Sequence, residues 1–165
     1  MTQEPAPVHL AEYQPFPFHL RHVDLDFALD PTLTRVQSRL FLTRREPGAD
    51  LRLDGEGLGF MACLLNGTPI RVEPDATGLT IPAALIPEGE FTLQTTVSIN
   101  PSENTALEGL YMSNGMYCTQ CEAEGFRKIT YFPDRPDVMA TFTVRIESDL
   151  PVLLSNGNPE YEGAQ

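Results

Sequence analysis

A chain of 165 residues has the length of one ordinary domain, and with 41% apolar and 21% charged residues it can bury a core. The formal charge of −12, from 23 acidic and 11 basic residues, argues against a nucleic-acid partner, which needs a basic footprint, and against an anionic membrane surface. Such acidity serves solubility or helps gather cationic ligands such as free peptide amino termini, and the charge count alone does not separate the two.

The 15 prolines and 12 glycines are spread along the whole length, which leaves little room for long helices and suits short strands joined by turns. Residues 1–15 read as a loose lead-in and residues 16–165 as one β domain. The first twenty residues carry no basic segment followed by an apolar run, and no stretch approaches the ~18 apolar residues of a membrane span. Three cysteines, an odd number, do not make a disulfide framework. The expectation is a soluble, cytoplasmic protein.

Period-two alternation begins with Val23, Leu25, Phe27 and Leu29 on one face and Asp24, Asp26 and Asp30 on the other, a half-buried strand. After the turn at Asp30-Pro31-Thr32 the design repeats, with Val36, Leu40 and Leu42 inward and Arg35, Gln37 and Arg39 outward, so the two strands are expected to pair antiparallel. Leu51 and Leu53 mark a short third strand. Leu58–Leu65 and Ile70–Val72 flank Asn66-Gly67, a dipeptide that accepts positive φ at both turn positions, and predict a hairpin. Leu79–Ile81 follows the turn at Thr77-Gly78, and Phe91, Leu93, Thr95, Val97 and Ile99 alternate along a longer strand.

Asn114-Gly115, between Leu110-Tyr111-Met112 and Met116-Tyr117-Cys118, predicts a second hairpin. Ala140, Phe142, Val144 and Ile146 alternate with Thr141, Thr143 and Arg145 in the cleanest strand pattern of the chain. Val152–Leu154 predicts a last short strand before a turn at Asn156-Gly157. Helical candidates are confined to Glu122–Arg127 and a turn near Arg135–Val138. The predicted class is mainly β: an antiparallel sandwich or saddle-like pair of sheets.

Histidines 9, 19 and 22 include no i, i+4 pair of the kind a helix uses to offer two imidazoles to one zinc. His9 and His19 read as solvated, His22 as an outward strand residue. There is no G-x-S-x-G and no phosphate-cradling glycine loop. Cys118-Thr119-Gln120-Cys121 has the spacing of a redox pair or half a zinc site, but no second C-x-x-C completes it, and two ordinary thiols are expected. Cys63 lies among apolar neighbours and reads as core. Gln120, Glu122 and Glu124 project to one side of an extended segment. They form either a site for an ammonium ligand or a solvated loop with a salt bridge to Arg127 or Lys128.

The runs Thr105-Ala106-Leu107-Glu108-Gly109-Leu110-Tyr111, Cys118-Thr119-Gln120-Cys121-Glu122-Ala123-Glu124-Gly125-Phe126-Arg127 and Tyr131-Phe132-Pro133-Asp134-Arg135-Pro136-Asp137 occur in order. They are followed by Ala140-Thr141-Phe142 and Leu154-Ser155-Asn156-Gly157-Asn158. This succession resembles the amino-terminal domain of the aminopeptidase N family of zinc aminopeptidases. The resemblance implies a β saddle that precedes a thermolysin-like catalytic domain, whose zinc and exopeptidase motifs are absent from this sequence. It therefore implies a domain ended before its natural boundary, with zinc in the full-length enzyme and none in these residues.

The resemblance further implies that Gln120 and Glu122, from the T-Q-x-E motif, help hold the free α-amino group of a peptide substrate. The partners it implies are the catalytic domain of the same chain and peptide substrates. It implies that Asp134, Arg135 and Asp137 tie a turn to the sheet. A domain that docks on a catalytic partner is expected to expose apolar side chains, with Met112, Met116, Tyr117 and Phe132 as candidates. The competing expectation, from a different class, is a stand-alone β-sandwich interaction module without catalysis.

Overall fold

The computed structural model describes residues 13–161 and Gly163, so His9 and most of the predicted lead-in lie outside the described residues. Ten strands follow in order: β1 Phe18–Ala28, β2 Thr34–Arg44, β3 Leu51–Asp54, β4 Gly59–Leu65, β5 Thr68–Pro69, β6 Gly78–Ile81, β7 Glu90–Ile99, β8 Gly109–Ser113, β9 Met116–Gln120 and β10 Thr141–Glu147. They form a six-stranded sheet in the order β10-β1-β2-β7-β4-β5 and two ribbons, β3-β6 and β8-β9. The mainly β class expected from the sequence is observed. Among the described residues no helix is long and apolar enough to cross a membrane.

The alternation read in the sequence maps onto burial. Val23, Leu25 and Phe27 of β1, Val36, Leu40 and Leu42 of β2, and Phe91, Leu93 and Val97 of β7 are all buried. Leu51, Leu53, Leu79 and Ile81 of the β3-β6 ribbon join the same core. Each such side chain contributes about 1.5–3 kcal/mol by leaving water. A one-residue slip of β1 would turn Val23, Leu25 and Phe27 out of the core and bring both Asp24 and Asp26 into it, and this fixes the β1–β2 register. Asn66 and Gly67 have φ of 49° and 77°, Asn114 and Gly115 φ of 49° and 80°, so both predicted hairpin turns form with positive φ at both central residues.

The expectations fail in three places. The second arm of the first hairpin is only Thr68–Pro69: the Ile70 N–H still donates to the Cys63 carbonyl at 3.0 Å, but Ile70–Val72 is not a strand. Val152–Leu154 also forms no strand, having no neighbour to pair with among the described residues. The Glu122–Arg127 helix shrinks to a single 3₁₀ turn at Phe126–Lys128. The sequence reading assigned β10 no neighbour, and the structure supplies one: β10 lies parallel to β1, with Val23 opposite Phe142 and Leu25 opposite Val144.

Candidate functional site

The Gln120–Glu124 segment is placed by the β8-β9 ribbon. Five register pairs run from Ser113 opposite Met116 down to Gly109 opposite Gln120, so Gln120 is the last residue held by the ladder before the loop. Gly109 has φ of +70°, and a Cβ there would sit 2.8 Å from Cβ of Lys128. A Cβ on Gly125 would lie 2.9 Å from the Gln120 carbonyl oxygen. Two glycines therefore let the loop fold back against the foot of its own hairpin.

Asp134 organises the interior of the loop. It is 8% exposed, and its Oδ2 accepts from the Gly125 N–H at 3.0 Å, the Arg127 N–H at 3.2 Å and Arg127 Nε at 2.8 Å. Arg127 also donates to the Asp134 carbonyl at 3.1 Å, and the bond to Asp134 raises its pKa. Asp54 anchors this unit to β3: its backbone exchanges hydrogen bonds with Phe132 at 2.8 and 3.1 Å, and its carboxylate accepts from the Asp134 N–H at 3.1 Å. Arg135 holds Asp137 at 2.8 Å and the Gln14 carbonyl at 2.7 Å.

The charged side chains around the loop sort into paired and unpaired. Glu124 accepts from Arg127 at 2.7 Å, so one of the expected salt bridges forms. Lys128 is taken by Glu108 at 2.9 Å and Glu56 at 3.6 Å, the first of which raises its pKa. With both nearby cations engaged, the exposed Glu122 carboxylate has no hydrogen-bond or ion-pair partner among the described residues. Gln120 Nε2 donates to the Glu122 backbone carbonyl at 3.3 Å, which draws the two residues together while leaving the amide oxygen free to accept. Glu124 is drawn away to Arg127, so the three side chains do not converge as a set.

The thiols at Cys118 and Cys121 are both free and half-buried. Burial, and then the Asp134 carboxylate, pushes the Cys121 thiol up, which disfavours the reactive thiolate. Cys63 is buried as expected, and burial pushes its thiol up to about 11. His22 points outward from β1 and bonds Thr141 Oγ1 at 2.7 Å and Asp24 at 3.0 Å. His19 is exposed beside Arg45. Among the described residues no three His, Cys, Asp or Glu side chains are placed to hold a metal ion.

Of the four side chains expected to be exposed for docking, Met116 is 58% exposed and Met112 and Tyr117 are half-buried. Phe132 is a correction. It is 7% exposed, because it packs between Phe126 and Phe142 with ring centroids at 4.5 and 6.1 Å. Asp54, Gly109 and the Lys128–Glu108 pair, which hold the loop in place, were not singled out by the sequence reading. Gly109 carries a signal in the sequence, since a glycine opening a predicted strand often marks a close backbone approach.

Residues 69–165 match the family described as the peptidase M1 N-terminal domain. The chain is similar to aminopeptidase N of Caulobacter vibrioides, 51% identical over 170 residues, covering 99% of this chain and 19% of that protein. Its fold is similar to that of Legionella pneumophila aminopeptidase A, solved in complex with aspartic acid, with a TM-score of 0.79 and 32% identity over 90% of this chain and 18% of the other. An M1 zinc metallopeptidase from Deinococcus radiodurans shares the fold at a TM-score of 0.68 and 23% identity, covering 79% of this chain and 32% of that one. The chain belongs to the peptidase M1 N-terminal domain family. It spans about a fifth of the length of the aminopeptidase N relative.

Proposed function

We propose that this chain serves as the amine-recognising domain of a cytoplasmic zinc metalloaminopeptidase that removes single amino-terminal residues from peptides, with Gln120 and Glu122 holding the substrate α-amino group. The observation that carries the reading is the unpaired Glu122 carboxylate in a loop whose other charges, Glu124, Arg127, Lys128 and Asp134, are all engaged. An ammonium group offers three N–H donors and a positive charge, and satisfies an anionic carboxylate and an amide oxygen together. A clamp at fixed distance from the scissile bond would also measure one residue from the chain end.

Support for zinc comes from the name of the Deinococcus radiodurans neighbour, an M1 zinc metallopeptidase. The described residues do not form a zinc site, and the proposal places the metal on a catalytic partner in the same polypeptide, with no step assigned to it here.

The test is steady-state kinetics in the complete enzyme. Glu122→Gln keeps shape and hydrogen-bonding capacity but removes the charge, and is expected to cost on the order of 2–4 kcal/mol in transition-state binding, about 30- to 1,000-fold in kcat/KM. Gln120→Ala is expected to cost less and Glu124→Gln little, with metal content unchanged in all three. An unaltered kcat/KM for Glu122→Gln would sink the clamp.

A further inference from the structure

The two Asn-Gly hairpin turns share a backbone and differ in what holds them. Asn66 and Asn114 both have φ of 49°, Gly67 and Gly115 have φ of 77° and 80°, and nothing comes within 4 Å of a Cβ built on either glycine. Asn66 follows β4, a member of the six-stranded sheet, and its neighbour Leu65 is buried. The Asn66 N–H donates to the Thr92 carbonyl at 2.9 Å, and its side-chain oxygen accepts from the Thr92 N–H at 2.8 Å. Thus β7 holds Asn66 by backbone and side chain together. Asn114 closes the two-stranded β8-β9 ribbon, and a lone pair of strands is marginally stable at best. Among the described residues its side-chain amide makes no hydrogen bond.

We infer that Asn114 is a site of spontaneous conversion to aspartate and isoaspartate in the native protein, and that Asn66, tied to β7, keeps its amide. A following glycine admits this reaction because it has no side chain to shield its nitrogen. The Gly115 nitrogen bonds to Cγ of Asn114, the Cγ–Nδ2 bond breaks, and ammonia leaves with the proton that the glycine nitrogen gives up. Water then opens the resulting imide ring at either carbonyl. One ammonia is lost and one water gained, with no oxidant or reductant. Cγ meets the glycine nitrogen only when the side chain is free and the asparagine ψ swings out of the turn, so the rate follows the population of locally opened hairpin. Isoaspartate carries the chain through its side-chain carbon, one backbone atom longer, and no longer fits a two-residue turn. It is the class of residue that an isoaspartyl methyltransferase takes as substrate.

Incubation of the complete enzyme in neutral buffer, with peptide masses read at intervals, tests this without any variant or activity assay. Its outcome is therefore independent of the amine clamp. Cleavage at Arg52, Arg71, Arg127 and Arg145 puts Asn66, Asn114 and the third Asn-Gly pair, Asn156-Gly157, on separate peptides. Asn114 is expected to convert about tenfold faster than Asn66, the factor that one net hydrogen bond of extra hold supplies. An isoaspartyl methyltransferase with a labelled methyl donor should mark the Asn114 peptide and leave the Asn66 peptide unmarked. In urea, where neither turn is held, the two rates should converge. An Asn114 that lasts as long as Asn66 in the native enzyme, equal methyl label on both peptides, or a rate difference that survives in urea would each overturn the inference.

Discussion

At the scale of the residue, one carboxylate oxygen does most to shape the loop. Oδ2 of Asp134 accepts two backbone N–H groups and the Arg127 guanidinium in a buried position. Asp134→Asn removes the charge those donors share and is expected to cost about 1.5–3 kcal/mol, the scale of a hydrogen bond to a charged group. A urea titration reads it as a lowered midpoint, and an unchanged midpoint would show that the loop is held by other contacts.

Asp75 makes a pH-dependent case. The hydrogen bond from Arg52 and then the Thr77 N–H hold its carboxyl well below the usual carboxylate range. A depressed folded-state pKa contributes stability above the unfolded value of about 3.9 that is lost as pH falls through and below it. The stability gap between the parent chain and Asp75→Asn should therefore be full at pH 6 and narrow progressively as pH falls below about 4. Thermal melts across that range check it, and a gap that widens on acidification would contradict the linkage. Only the family resemblance pointed to Glu122 and Gln120 as an amine clamp, which the kinetics proposed above would test. Spacing put Glu124 beside them on equal terms, and what separates the three is which of them Arg127 reaches.

At the scale of the element, both Asn-Gly turns were legible because positive φ is written into the residue types. The two glycines of the β8-β9 ribbon are expected to respond differently to substitution. Gly115→Ala meets open space and carries only the left-handed backbone penalty, about 1–2 kcal/mol. Gly109→Ala carries the same penalty and also drives a methyl group to 2.8 Å from Lys128 Cβ, so it should be the more destabilising of the two. Equal denaturation midpoints for the two variants would show that Lys128 yields freely. The β10 strand was readable as a strand but not as a neighbour. Alternation reports which face is apolar and says nothing of which edge the strand joins. The apolar face of β10 is moreover only half covered, so pattern and burial part company at Phe142 and Val144.

At the scale of the whole molecule, the mainly β architecture followed from turn density and alternation, while the clustering of chemistry at one loop did not. The described residues offer no metal site, so after dialysis against zinc the chain should retain far less than one equivalent by elemental analysis, and it should release no product from an aminoacyl anilide. One tightly held zinc per chain would place ligands at Cys118 and Cys121 after all.

The parallel contact of β10 with β1 has a cost in time. It joins His22 to Thr141 across 119 residues of sequence, whereas β1 and β2 are adjacent and can pair as soon as both exist. A ribosome adding about 5–20 residues each second needs about 6–24 s to cover that interval. Throughout it, one edge of β1 waits with its backbone groups unpaired, on a chain whose first core strands have already been made. The newborn protein thus carries an open β edge for longer than a small domain commonly takes to fold.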